Sequence, residues 1–242
     1  MSPNQRIALN VAATYARSLY TLIIGLLCGR WTLQILGEVD LGLMGLVGGL
    51  TVFITFLNSL LSHSVSRFYA YAVGLSMSEG RYDEGLLESR KWFTSAVVIH
   101  SVFPTLLLVL GYPVGEIAIR FFLTIPTDRI GDCLWVWRFC AVSVFLGMIS
   151  VPFNAMYNAK QEIAELTLYG FVTSTLNVCF MYYALTHPGR WLVAISAWTM
   201  ILGLVPQMII VYRARTRFPE CRLIRESLYM CIFQKSMSLD IV

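Results

Sequence analysis

Apolar residues in this chain come in long blocks, with neither the alternation of a half-buried strand nor the single stripe of a surface helix. Six blocks are long enough to cross roughly 30 Å of hydrocarbon at about 1.5 Å per residue. They run from Leu9 to Cys28, Leu41 to Leu61, Phe93 to Tyr112, Cys133 to Tyr157, Leu166 to Leu185 and Trp191 to Tyr212. The pattern predicts an all-α polytopic membrane protein with six transmembrane helices. The second helix is expected to continue past the membrane surface through "SHSVSRFYAYAVG". "GLSMSEGRYDEGLLESRKW" reads as a solvated connection. "YPVGEIAIRFFLTIPTDRIGD" is too short and too charged to span, and its Ile117, Phe121 and Ile125 predict a short interfacial helix.

Composition agrees. Of 242 residues, 57% are hydrophobic and 13% charged, against about 25% charged in a soluble domain. The N-terminal "MSPNQRIALN" leads straight into the first block without a small-residue cleavage site, so that block is a retained span. Twelve lysines and arginines, from Arg6 to Lys235, share the N-terminal side, while Arg30, Arg120, Arg129 and Arg190 lie opposite. The positive-inside rule then places both termini in the cytoplasm, and an even number of spans agrees. The six cysteines, Cys28, Cys133, Cys140, Cys179, Cys221 and Cys231, form no C-x-x-C pair and stand near no histidine at ligand spacing. They read as packing residues or incidental thiols. No metal, cofactor or nucleic-acid partner is expected.

Polar residues recur at helical spacing within the spans, and such faces look into protein or water rather than lipid. The first helix carries Asn10, Thr14, Arg17 and Thr21, and the second Thr51, Thr55, Asn58 and Ser62. Ser143, Ser150, Asn154 and Asn158 follow in the fourth; Thr167, Ser174 and Asn177, with Gly170 between, mark the fifth; Ser196, Thr199, Gly203 and Gln207 mark the sixth. Small hydroxylated residues are the ordinary contact surface between membrane helices. The amides of Asn10, Asn58, Asn154, Asn158 and Asn177 need several partners each, and together they suggest a hydrated cavity. Pro152 and Pro206 are candidate kinks.

Two arginines lie inside spans. Arg17 is about 12 Å from the start of its helix. Arg138, in "DCLWVWRFC", is nearer an outer end and either snorkels to the headgroups or faces the interior. Every aspartate and glutamate maps to a loop or a span end. A proton or sodium relay needs an intramembrane carboxylate, whereas an anionic substrate suits the planar fork of arginine. The balance favours an anion.

The stretch "LQILGEVDLGLMGLVGGLTVFITFLNSLLSHSVSRFYAYAVG" resembles the first-to-second-helix signature of bacterial polysaccharide flippases, in the superfamily that also holds the MATE drug exporters. "VPFNAMYNAKQE" and "TIPTDRIGDC" are similar to further segments of that family. The resemblance runs from about Asn4 to Arg217. It implies one six-helix lobe of a MATE-like two-lobe transporter that moves an undecaprenyl-diphosphate-linked oligosaccharide across the bacterial inner membrane, for polysaccharide or lipopolysaccharide synthesis. It also implies that Arg17 matches the first-helix arginine facing the cavity, and that Arg67 matches a basic residue at the cytoplasmic end of the second helix. Arg67 lies off the Thr51–Asn58 stripe of a straight helix. Gln161 stands where the family pattern has an acidic residue, with Glu162 beside it.

The expected substrate-binding set is therefore Arg17, Asn10, Thr14, Asn58, Arg67, Arg138, Asn154 and Asn177. Residues 1–217 form the expected lobe and residues 218–242 a cytoplasmic tail. The family normally has twelve to fourteen helices, so six suggest a truncated product or a half-transporter that pairs, as a homodimer or with a separate C-terminal lobe. The alternatives are a MATE-type drug or cation exporter, which would need carboxylates in its helices, and a non-transporting membrane scaffold. An enzyme is not expected: Ser62, His63, Ser64, His100 and His187 come with no nucleophile motif.

Overall fold

A computed structural model describes residues 3–76 and 82–223. The side chains of Asn10, Thr55 and Asn58, together with Cys231 and the tail from residue 224 onward, lie outside the described residues. Long helices dominate: α1 (Pro3–Ser76), α2 (Tyr82–Ile117), α3 (Ile130–Ala159), α4 (Ile163–Thr186) and α5 (Leu192–Arg217). No strand occurs among the described residues. Among the described residues, five helical stretches, where the sequence predicts six, are long and apolar enough to cross a membrane. Large apolar side chains cover their outside: Val102, Leu106, Val109 and Leu110 of α2 are each more than half exposed. In water such a surface would aggregate, and hydrocarbon is its natural solvent.

The first two predicted blocks both fall in α1, which is broken between them. Gly37 has φ 69° and ψ −178°, outside the helical region. That combination is sterically open essentially to glycine alone. Beyond the break, the helix runs on to Ser76, taking in the extension expected past Leu61. Asp83 and Glu84 in the first turn of α2 and Arg215 and Arg217 in the last turn of α5 complement the helix dipoles. Gln161, at φ 57°, makes the tight turn from α3 to α4. Pro152 and Pro206 both sit inside helices that continue past them.

The separate interfacial helix does not form. Instead α2 continues to Ile117 and closes in a π-helical turn, Ala118–Phe122, with Ile125 in the coil that follows. Tertiary contacts explain the extension. The Trp137 indole donates to the Tyr112 carbonyl at 3.2 Å and packs against Gly115, while Ile119 is fully buried.

The chain divides into two compact units, each assembled from separate segments. The first comprises Met1–Phe53, Leu110–Val144 and Glu162–Pro206. Its core joins Leu43 and Val47 of α1, Cys133 and Trp137 of α3, Met181 of α4 and Ile195 of α5. The second comprises Ile54–Val109, Phe145–Gln161 and Gln207–Val242. Aromatic rings organise it. Phe93 meets Phe153 edge-on at 5.2 Å, Tyr157 meets Phe218 edge-on at 5.1 Å, and Phe68 stacks on Trp92 at 4.3 Å.

Candidate functional site

In the first unit, α1 and α4 pack side by side in the same chain direction. Tyr20 shares a hydrogen bond with Thr175 at 2.8 Å, the Asn177 amide donates to the Cys28 sulfur at 3.7 Å, and Trp31 meets Tyr182 at 6.0 Å. Residues climb together on both helices, as parallel neighbours require. The polar face of α4 thus serves helix packing: Asn177 touches α1, and Thr167 returns its hydroxyl to the Ile163 carbonyl.

The polar face of α1 is different. A groove of about 620 Å³ runs along it, lined by Thr14, Arg17, Ser18, Thr21, Leu22, Gly25 and Leu26. Thr14, Ser18 and Thr21 are exposed there. Arg17 is half-buried at the edge of this groove, where its guanidinium lies against Gly170 of α4. Among the described residues it makes no hydrogen bond and no ion pair, yet a guanidinium keeps its charge. A cation unpaired among the described residues, beside hydroxyl groups and with an apolar stretch of Leu22, Gly25 and Leu26 at one end of the groove, is an arrangement suited to an anion carrying an apolar tail.

The remaining expected site residues are placed elsewhere. Arg138 of α3 lies in the first unit but has a partner: its Nη2 donates to Glu116 Oε1 at 3.2 Å, and it sits 4.9 Å from the Trp135 ring. Tyr112 donates its hydroxyl to the same carboxylate oxygen at 2.9 Å. Asn154 belongs to the second unit, where its amide donates to Gln207 Oε1 of α5 at 2.7 Å and to the Ser150 carbonyl at 3.1 Å. Arg67, also in the second unit, is exposed and has no partner among the described residues. Asn10 and Asn58 lie on α1 with side chains outside the described residues. Of the eight, Arg17 and Thr14 line one groove and Asn177 is on the helix packed beside it.

Two features escaped the sequence reading. Gly170 was visible only as a gap in a polar stripe, with nothing to say that Arg17 would fill it. Glu116 was assigned to a loop; its i, i+4 spacing from Tyr112 was the available sign that α2 continued.

The turn before α3 has its own cluster. Arg129 reaches Asp40 and Asp132, both at 3.4 Å, and Asp128 at 3.8 Å. In the second unit a cavity of about 170 Å³ is walled by Phe68, Trp92, Ile99 and their neighbours, and is almost wholly hydrocarbon-lined. Neither offers an unpaired charge to a ligand. No grouping of His, Cys, Asp and Glu suited to a metal occurs among the described residues. Comparison with protein-family models, curated proteins and solved structures finds no match to this chain.

Proposed function

We propose that the chain is a six-span lobe of a transporter for a diphosphate-linked lipid oligosaccharide, of the polysaccharide-flippase kind, in a bacterial inner membrane with both termini cytoplasmic. One observation carries the reading: a charged, unpaired Arg17 at the edge of a hydroxyl-lined groove on a helix otherwise suited to lipid. Thr14, Ser18 and Thr21 supply hydrogen bonds to phosphate or sugar oxygens, and Leu22 and Leu26 meet the polyprenyl chain. The lack of any aspartate or glutamate among the groove residues argues against a cation exporter.

A hydroxyl-lined face in a membrane requires cover. A second six-helix lobe, in a partner chain or a second copy, supplies it. A scaffold role is the second reading. It draws on Asn154 and Asn177, whose amides make helix-to-helix contacts rather than facing a cavity.

The test is Arg17→Ala. Flipping of a diphosphate-linked glycan in cells or proteoliposomes is expected to be abolished, with membrane insertion unchanged. Retained flipping in a fully inserted variant would rule out the anion-binding role.

A further inference from the structure

Gly170 marks the place where α4 yields to a charged side chain of α1. A Cβ built there would stand 2.7 Å from Arg17 Nε, 3.0 Å from Cζ and 3.1 Å from Nη2. The guanidinium therefore occupies the volume that any other residue would fill with its own side chain. Contact with the helix backbone brings no hydrogen bond, and the reason is local. The Gly170 carbonyl shares the Thr173 hydroxyl, at 3.1 Å, with the Tyr169 carbonyl at 3.0 Å, and its helical position offers a lone pair to the amide four residues on. The guanidinium is seated by shape, with its donors left free among the described residues.

We infer that Gly170 is a positioning residue for Arg17: the slot left by its missing side chain holds the guanidinium at the edge of the groove, with donors free for a phosphate. The inference rests on the reading of Arg17 as the phosphate-binding group. Free arginine side chains have many rotamers, and a slot that restricts them removes ordering that binding would otherwise require.

Gly170→Ala is an unusually clean probe. The atoms it displaces are the far end of a flexible side chain, and alanine favours the helix more than glycine does. The variant is expected to insert and to keep or raise its thermal stability. With the full chain in lipid nanodiscs, undecaprenyl diphosphate is titrated into four proteins: the parent, Gly170→Ala, Arg17→Lys and the double variant. Gly170→Ala should weaken binding about ten-fold, the scale of one lost charge-assisted hydrogen bond. In the Arg17→Lys background the same change should shift affinity less than about two-fold, because an ammonium has no planar face to seat. Equal losses in both backgrounds, or none in either, would overturn the assignment. Inorganic diphosphate should show the same coupling, and coupling confined to the lipid would also overturn it.

A second measurement does not depend on affinity. Modification of Arg17 by phenylglyoxal, followed by peptide mass spectrometry, should rise several-fold once alanine evicts the guanidinium from its slot. An unchanged rate overturns the inference even where binding is too weak to measure. Failure of the parent reading looks different: Arg17→Ala would then bind undecaprenyl diphosphate as the parent does.

Discussion

Cys221 is 4% exposed; it follows Glu220, itself buried and paired with Lys160, and its amide donates to the Phe218 carbonyl at 3.1 Å. Burial, with the neighbouring Glu220 carboxylate adding to it, pushes its thiol from the ordinary 9.0 up to about 12. The folded chain thus holds this proton to higher pH than the unfolded chain does. The stability it contributes is full below about pH 9 and is lost as pH rises through about 12. Thermal unfolding of solubilised protein should show a fall in stability above pH 9 that Cys221→Ala reduces. At pH 8 the thiol should resist N-ethylmaleimide until the protein is unfolded, and labelling of the folded protein at a free-thiol rate would contradict this. The burial of Cys221 was legible only as a packing thiol in the sequence; its depth comes from the turn Pro219–Cys221, anchored by Arg90 donating to the Pro219 carbonyl at 3.0 Å. Arg138 teaches the same lesson. Its two readings, snorkelling or facing inward, were undecided because its partner Glu116 lies 22 positions away on a helix whose end was misplaced.

At the scale of elements, hydropathy found long apolar helices, five candidate spans among the described residues against the six expected, and missed how tertiary contacts extend them. Nothing in a run of apolar residues says that a tryptophan from α3 will lie across Gly115 and pin the end of α2. A Cβ at Gly115 would fall 2.1 Å from Trp137 Cζ2 and 2.2 Å from Cε2, in the body of a buried ring. Gly115→Ala should destabilise the protein by about 3 kcal/mol, the scale of overpacking. Gly111→Ala, one turn earlier on the same helix and with nothing within 4 Å of its Cβ, should be neutral or gain up to about 1 kcal/mol. Denaturant or thermal unfolding in detergent separates the two, and equal effects would refute the contact. Periodicity likewise found a polar face on α4 and one on α1 without saying which was covered. The α4 face packs against α1, whereas the α1 face lines a groove. That distinction depends on neighbours, which no single helix encodes.

For the whole molecule, the distribution of lysine and arginine is the strongest guide to orientation, since it acts through every loop at once. It predicts that a cysteine at Thr127, exposed in the turn before α3, is labelled by an impermeant maleimide from outside intact spheroplasts of a cysteine-free background. A cysteine at Asp83, exposed at the start of α2, should be labelled only after permeabilisation. The reverse pattern would invert the assignment.

Gly37 has a consequence of another kind. Were α1 one straight rod, its 74 residues would measure about 110 Å, several times the roughly 30 Å hydrocarbon core. A single residue, at a dihedral that side chains resist, prevents this. The course that α1 takes beyond residue 37 is therefore set at one position. Most substitutions in this protein would alter how tightly something is held; one at position 37 would alter the direction in which α1 continues.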